Sequence, residues 1–261
     1  MLEALLTTFF FDPSSIFFLP FLLSAVIITW LWLKIKKKQS LRQSLMLLFD
    51  REIWLSKQSM VDFTCTLVML LFLSKFLFQL QERVIGAIEN LFPSWDLISL
   101  PPLAEGILIT ILSMLAYDFA TYVMHRMMHH NPLLWRIHAF HHSAKTLTFF
   151  TTFRQHPLEP VLLALARSTA VGLCLALFHC FFSAGAQVIT IMGLGAGFFL
   201  YMLTVNLHHS PVAVRYPAMM RKILISPHTH HLHHSLDRQR DNKNYGVIFS
   251  VWDRWCKTYQ E

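Results

Sequence analysis

Long apolar stretches alternate with polar segments along this chain, and each apolar stretch has about the length needed to cross a lipid bilayer. A helix needs about 20 apolar residues to span a hydrocarbon core roughly 30 Å thick. The candidate spans are Ile16–Leu33, Met60–Leu80, Gly106–Met124, Val161–Phe182 and Gln187–Val205. The pattern predicts an all-α integral membrane protein with four to five transmembrane helices, the last two candidates forming a hairpin that either crosses the bilayer or re-enters it.

The composition agrees with a protein embedded in lipid and excludes several soluble classes. Hydrophobic residues make up 54% of the 261 positions, charged residues only 14%, and the mean hydropathy is +0.46, values foreign to a water-soluble domain. The 23 Phe and seven Trp against eight Gly exclude a disordered or collagen-like chain. The four cysteines form no C-x-x-C pair, so we expect neither a disulfide framework nor a thiolate metal site.

The basic residues sort to one side of the predicted membrane. If the cluster Lys34–Lys38 is cytosolic and the chain crosses at every span, the segments Lys34–Ser59, His125–Pro157 and Asn206–Glu261 are cytosolic and hold 19 of the 22 Lys and Arg. The external segment, Gln81–Glu105, has one base against four acids. This positive-inside pattern explains the formal net charge of +7 by topology and by attraction to anionic headgroups, and we expect no nucleic-acid partner.

Histidine marks the candidate functional site. All 15 histidines lie between His125 and His234, most of them in two of the predicted cytosolic segments. Residues i, i+3 and i+4 of a helix share one face within about 6 Å, and neutral imidazole is a good ligand for iron, zinc or copper. Three groups have such spacing: His125 and His129; His138, His141 and His142; and His230, His233 and His234.

The number and kind of side chains favour two metal ions. Eight imidazoles exceed the four ligands of one tetrahedral site. Between Phe119 and Leu236 the only acidic residue is Glu159, so a carboxylate-bridged site of the ferritin type cannot form. His125 is not followed by Glu, which excludes the zinc-protease motif. The pattern therefore predicts a cytosolic, histidine-rich dimetal cap on the membrane helices.

These residues resemble the fatty acid hydroxylase superfamily, the membrane-bound histidine-box oxygenases that include sterol desaturases, sphingolipid hydroxylases and alkylglycerol monooxygenases. The resemblance runs from about Tyr117 to Tyr259. It is carried by the segments Asp118–His129, Leu134–Ser143, Arg154–Glu159, Ser226–Ser235, Asn242–Gly246 and Trp252–Arg254.

The resemblance implies a membrane-bound di-iron oxygenase that activates O2 to hydroxylate or desaturate a C–H bond of a lipid such as a sterol, sphingolipid, fatty acyl or alkylglycerol chain. Two iron ions are the implied cofactors, with zinc as an alternative occupant of purified protein because imidazole sites bind zinc more tightly than Fe(II). Electrons would come from an external donor such as a cytochrome b5-like protein, a ferredoxin or a pterin. The implied location is the bacterial inner membrane, or the endoplasmic reticulum in a eukaryote.

The resemblance also assigns individual residues. The implied metal ligands are His125, His129, His138, His141, His142, His208, His230, His233 and His234, with His156 and His209 as possible additional ligands. The family has a further histidine box after its last hairpin, and by alignment His208 is preferred to His209 there.

Three further residues are assigned to the catalytic group. Asp118 and Tyr122 follow one helical stripe with His125 and His129. We expect Asp118 to accept the free N–H of a ligand histidine, as metal-bound imidazoles usually require. Asn244 joins this group from the closing segment of the resemblance.

We expect one structural domain, in which residues 1–105 supply membrane-anchoring helices and residues 106–261 form the catalytic region. His179, alone in an apolar span, is expected to bond a neighbouring helix, and Arg167, in the same span, either to snorkel or to pair with a carboxylate such as Asp118. The alternative function is a divalent-metal transporter or metal-buffering membrane protein. It is disfavoured because a transporter places its ligands near the bilayer midplane. A third hypothesis is that the protein is a catalytically inactive relative of these oxygenases that acts as a binding protein.

Overall fold

Four helices are long and apolar enough to cross a membrane in the computed structural model, which describes residues 10–12, 15, 18–182, 186–192, 194–235 and 242–261. These helices are Leu19–Lys37, Lys57–Glu89, Pro102–His130 and Leu158–Phe181. The prediction of an all-α, multi-pass membrane protein is therefore confirmed, at the lower end of the predicted number of spans. Ile16, where the first predicted span begins, lies outside the described residues.

The elements follow one another as a series of helices with few extended segments. In chain order the helices are α1 (Leu19–Lys37), α2 (Leu41–Leu48), α3 (Arg51–Trp54), α4 (Lys57–Val68), α5 (Ser74–Glu89), α6 (Pro102–His130), α7 (Pro132–His142), α8 (Leu158–Phe181), α9 (Ala196–His208), α10 (Ala218–Arg221), α11 (Pro227–His233) and α12 (Val251–Trp255). A π-helical turn, Met69–Leu73, connects α4 to α5, and a 3₁₀ turn, Phe149–Phe153, follows α7.

The chain forms two compact units. Each unit contains segments from both sides of residue 105, the boundary expected from the sequence between the anchoring helices and the catalytic region. Unit 1 consists of the described residues of Met1–Leu67, Ala139–Gln155 and Leu200–Glu261. Unit 2 consists of those of Val68–His138 and His156–Phe199.

The fifth candidate span, Gln187–Val205, is not one continuous helix. Strands β1 (Thr190–Ile191) and β2 (Leu194–Gly195) form an antiparallel hairpin, and α9 follows with 13 residues. At 1.5 Å per residue such a helix is about 20 Å long, too short to cross a hydrocarbon core of roughly 30 Å. Apolar composition identified this segment, but composition does not report where extended backbone interrupts a helix.

Unit 1 has an apolar core built around α1 and α2. Ala25, Leu48, Phe149 and Leu207 are buried together. The capping box of Ser40 and Gln43 fixes the start of α2. Trp54, on α3, packs its ring against Phe149 and Phe150, so the 3₁₀ turn after α7 is held against α3.

A buried ion pair fixes the same turn to α4. Asp62 is fully buried and accepts hydrogen bonds from Arg154 Nη1 at 2.8 Å and from Thr151 Oγ1 at 2.7 Å. Arg154 also donates from Nε to the carbonyl of Phe140 and to Ser143 Oγ. Both carboxylate oxygens are thus satisfied, which a buried charge requires.

Carboxylate contacts also organise the C-terminal part of unit 1. Asp253, on α12, accepts hydrogen bonds from the backbone N–H groups of Tyr245 and Gly246 and from Thr258 Oγ1. The position of Gly246 leaves no room for a side chain, because a Cβ there would lie 2.6 Å from the Phe249 carbonyl oxygen. These contacts hold residues 244–258 as a fixed support beside α11.

Unit 2 is built from α5, α6 and α8. Gly172 of α8 allows close approach to α5, since a Cβ there would lie 3.2 Å from the Cα of Ile85. His179 Nδ1 lies 3.2 Å from Glu89 Oε1 of α5, which confirms the expected bond to a neighbouring helix. Arg167 donates from Nε to Thr121 Oγ1 at 2.9 Å and lies over the ring of Tyr117.

Candidate metal centre

Three of the predicted ligands converge in unit 2. His125 and His129 lie one turn apart on α6, and His138 lies on α7. One ring nitrogen of each lies within 4.8 Å of the others. The turn between the helices explains the approach: Asn131 separates α6 from α7, and its Oδ1 accepts the N–H groups of Leu133 and Leu134. This cap at the start of α7 brings His138 back against His125.

A carboxylate orients one of these imidazoles. His138 Nδ1 donates to Glu159 Oε1 at 2.9 Å, and His138 Nε2 lies 3.1 Å from His125 Nε2. Glu159, in the first turn of α8, is 1% exposed, and its Oε2 has no hydrogen-bond partner among the described residues. A carboxylate that accepts Nδ1–H fixes the tautomer in which Nε2 is available to a metal.

The sequence pattern does not predict this contact of Glu159; it shows only that one carboxylate cannot form a bridged dimetal site. The signal that points to the contact is the isolation of Glu159, the single acidic residue of the histidine-rich region. A lone carboxylate among imidazoles is a natural partner for one of them.

Four more histidines converge within unit 1. They are His141, His209, His230 and His234, and one ring nitrogen of each lies within 4.8 Å of the others. The Nε2 atoms of His209, His230 and His234 form a nearly equilateral triangle with edges of 3.1, 3.2 and 3.3 Å. The ring of His141 lies 4.6 Å from that of His234 between centroids.

Local structure sets the direction of these rings. The capping box of Ser226 and Thr229 fixes the start of α11, so His230 and His234, four residues apart, face the same way. His209 Nδ1 lies 3.0 Å from Thr152 Oγ1 on the 3₁₀ turn. This contact leaves His209 Nε2 as the nitrogen that enters the triangle.

Burial keeps the triangle neutral. Removal from water lowers the pKa of His209, His230 and His234 well below the usual value, and the neighbouring imidazoles lower it further. These rings are therefore uncharged at neutral pH, and the neutral ring is the form that binds a metal.

His142 and His233 form a further pair in unit 1. Their ring centroids are 4.7 Å apart. His233 Nδ1 donates to the carbonyl oxygen of Lys243 at 2.8 Å. As in the bond from His138 to Glu159, the acceptor occupies Nδ1 and leaves Nε2 for coordination.

The structure brings His209 into the four-histidine group and leaves His208 outside it. His208 Nε2 lies 3.4 Å from the carbonyl oxygen of Ile225. Burial lowers the pKa of His208 to about 4, although that backbone bond acts to raise it. His208 is the last residue of α9 and His209 is the first residue of the turn that follows. This placement favours His209 over His208, the opposite of the choice made from alignment.

His156 lies outside both groups. Its side chain is exposed, and Nδ1 accepts the N–H of Leu158 at the start of α8. His231 also has a structural contact, because its Nε2 donates to the carbonyl oxygen of Ser210 at 3.0 Å. His156 therefore caps the start of α8, and His231 stabilises the loop that contains Ser210.

The three predicted catalytic residues occupy different surroundings. Asp118 and Tyr122 are buried on α6, on the helix that carries His125, and the Tyr122 hydroxyl accepts a hydrogen bond from Arg126. Asn244 adopts a left-handed backbone conformation, with φ of 58°. Its amide donates to the carbonyl oxygens of Thr229 and Gln260 and accepts the N–H of Gln260. These bonds give Asn244 a supporting role beneath α11.

The donor set fits a metal ion. Two nitrogens bound tetrahedrally at 2.0–2.1 Å from one metal lie about 3.3 Å apart, close to the edges of the Nε2 triangle. Three buried, neutral ring nitrogens face one another here. Hydrogen bonds among the three rings cannot satisfy all of these nitrogens, whereas a bound cation accepts a lone pair from each. An all-imidazole set suits iron, zinc or copper.

The comparisons with known proteins agree with this chemistry. The family described as fatty acid hydroxylase matches residues 110–258. Alkylglycerol monooxygenase of Caenorhabditis elegans is 27% identical over 55% of this chain and 25% of its own length. Ornithine lipid hydroxylase OlsE of Rhizobium tropici is 29% identical over 57% of this chain and 41% of its own length. Very-long-chain aldehyde decarbonylase GL1-7 of Oryza sativa subsp. japonica is 33% identical over 51% of this chain and 20% of its own length.

This chain thus spans less than half the length of each of these relatives. No solved structure gives a significant match. The matched region nevertheless covers more than half of the chain and contains every histidine that the structure gathers into the two groups and the pair. By this match, the chain belongs to the fatty acid hydroxylase family.

Proposed function

We propose that this protein is a membrane-bound, O2-dependent di-iron oxygenase that hydroxylates a C–H bond of a membrane lipid. The observation that carries the proposal is the all-imidazole group His141, His209, His230 and His234, buried and neutral in a chain with four membrane-spanning helices. Relatives named as an alkylglycerol monooxygenase and an ornithine lipid hydroxylase support a lipid substrate.

The residues divide into two ligand sets. One iron would be held by the four-histidine group of unit 1, and the other by His125, His129 and His138 of unit 2. His142 and His233 are retained from the sequence prediction as further ligands. Two iron ions bound there would supply O2 activation and attack on an unactivated C–H bond.

The protein's own groups hold and orient these ligands. Glu159, the Lys243 carbonyl and Thr152 Oγ1 contact the Nδ1 atoms of His138, His233 and His209, and so direct Nε2 of each ring inward. Burial of these rings limits the access of water, which protects an oxidising site from side reactions.

We place the histidines at the cytosolic side, on the distribution of basic residues. A lipid chain would then enter from the bilayer, and electrons would come from an external carrier on the aqueous side. The same arrangement applies to a bacterial inner membrane and to the endoplasmic reticulum.

The test is comparative lipid mass spectrometry under ¹⁸O2, in cells that make the wild type, the His141→Ala variant or the His130→Ala control. His130 is exposed at the end of α6. A lipid that gains one ¹⁸O with the wild type and the control, and not with His141→Ala, supports the proposal. A lipid that loses two hydrogens instead identifies a desaturase and contradicts hydroxylation. No product with iron and an electron donor supplied overturns an oxygenase function and favours metal handling.

A further inference from the structure

A cavity of about 710 Å³ lies in unit 1, at the C-terminal end of α1. Four bases line it: Lys36 and Lys37 of α1, Arg215, and Arg221 of α10. Most of the remaining wall is apolar and includes Trp32 and Ile35. The cavity therefore combines a cationic rim with an apolar wall, the two features that an anionic amphiphile requires.

The two arginines already bind an oxyanion of the protein itself. Glu261 Oε2 lies 2.8 Å from Arg215 Nη2 and also contacts Arg221 Nη1. The Arg221 side chain is only 13% exposed, and its Nε has no hydrogen-bond partner among the described residues. Paired guanidinium groups suit carboxylate and phosphate oxygens, which they bind through charge-assisted hydrogen bonds. The Glu261 side chain thus shows which chemistry the arginine pair accepts.

The cavity lies where a lipid headgroup would be found. Helix α1 is a membrane-spanning segment that ends in Lys34, Lys36 and Lys37. Trp32 lies five residues before that end and donates from Nε1 to the carbonyl oxygen of Arg215 at 3.0 Å. Tryptophan and basic side chains at a helix end are typical of the membrane–water interface. The bond from Trp32 fixes the arginine-bearing wall against the helix end.

We infer that this cavity is a binding site for the phosphate headgroup of an anionic membrane lipid. The phosphate lies between Arg215 and Arg221 in place of the Glu261 carboxylate, Lys36 and Lys37 neutralise its remaining charge, and the glycerol and upper acyl carbons pack on Trp32 and Ile35. The site is separate from the histidine groups and does not depend on the proposed function.

A phosphate ester fits better than an acidic protein segment. The charges converge in a concave space beside an apolar wall and do not spread over a flat face, so a small headgroup with an attached hydrocarbon chain fills it. Free phosphate shares the charge but leaves the apolar wall uncovered. Lipid and free phosphate are therefore distinguishable by affinity.

The experiment measures lipid bound to the purified 261-residue chain by native mass spectrometry, after delipidation and addition of phosphatidylglycerol, phosphatidylcholine or inorganic phosphate. The test variant is Arg215→Gln with Arg221→Gln, and the matched control is Lys222→Gln, an exposed base beside Arg221 that does not line the cavity. The hydrogen bonds that Trp32 donates to the carbonyl oxygen of residue 215, and that Ser250 and Arg254 donate to that of residue 221, do not involve the replaced side chains.

We expect phosphatidylglycerol to bind the wild type and the control alike, and to bind the double variant about tenfold or more weakly, because two charge-assisted contacts are lost. Phosphatidylcholine and inorganic phosphate should bind more weakly than phosphatidylglycerol. Glu261→Gln should strengthen phosphatidylglycerol binding severalfold, since it removes the competing carboxylate. Equal binding to the double variant and the control overturns the inference, and so does inorganic phosphate that binds as well as the lipid.

A second variant covers the case in which the double arginine variant does not fold. Lys36→Gln with Lys37→Gln alters only exposed side chains of the rim. It should weaken phosphatidylglycerol binding while leaving the melting temperature unchanged. Unchanged binding in this variant contradicts the inference.

Discussion

The carboxylate of Glu159 and the imidazole of His138 form a buried pair, with Oε1 2.9 Å from Nδ1. The two residues lie on different helices, α8 and α7, and the bond decides which ring nitrogen of His138 faces His125. The position of a proposed ligand is thus controlled by a residue that is not itself a predicted ligand.

Glu159→Gln should lower metal affinity about 10- to 100-fold, because loss of the charged acceptor makes His138 a weaker donor and frees its ring to rotate. The measurement is metal content per chain during titration with a competing chelator. Glu89→Gln is the matched control, since Glu89 pairs with His179, which lies in neither histidine group. Equal loss of metal from both variants would show that the effect is general destabilisation.

His209→Gln should reduce bound metal, whereas His208→Gln should retain it. His209 Nε2 belongs to the nitrogen triangle, and His208 Nε2 lies by a backbone carbonyl that a glutamine amide can also reach. Metal analysis of the two purified variants, with turnover as a second readout, makes the comparison. The reverse result would restore the assignment of His208 from alignment.

Asp62→Ala should destabilise the protein by about 3–5 kcal/mol, because Arg154 would remain buried without its partner. Arg154 is only 8% exposed. The free energy of unfolding in detergent measures the effect, with Lys57→Ala, an exposed residue on the same helix, as the control. A loss below about 1 kcal/mol, the range of a surface pair, would mean that the Arg154 side chain escapes to solvent.

Removal of metal by a chelator should lower the melting temperature, because metal binding stabilises only the state in which the imidazoles are assembled. Addition of Fe(II) under anaerobic conditions, or of zinc, should restore the melting temperature, and only iron should restore turnover. The His141→Ala variant should respond more weakly to the chelator than the wild type. An identical response would place the stabilising ion elsewhere.

The sequence predicted the membrane helices and most of the clustered histidines, since both depend on short-range patterns. Apolar length identifies a span, and i, i+3 and i+4 spacing groups His125 with His129, and His230 with His234, on one helical face. The resemblance added the identity of the chemistry. These features can be predicted because each depends on the spacing of residues within a single helix.

The remaining features depend on contacts between elements far apart in the chain. The choice between His208 and His209 depends on where α9 ends and which way the following turn leads the chain, which residue order alone does not state. The partner of His138 lies 21 positions away, and Thr152 reaches His209 across 57 positions. The supporting bonds of Asn244 could not be told from a catalytic role before its neighbours were known.

The 3₁₀ turn at Phe149–Phe153 has a mechanical consequence. Its middle residue, Thr151, donates a hydrogen bond to Asp62 on α4, and the next residue, Thr152, contacts the ring of His209. We therefore expect a shift of α4 along the bilayer normal to reach the His209 ring, one of the proposed metal ligands, through two adjacent residues. Because bilayer thickness influences the depth at which a membrane helix sits, we expect it to influence the geometry of the four-histidine group.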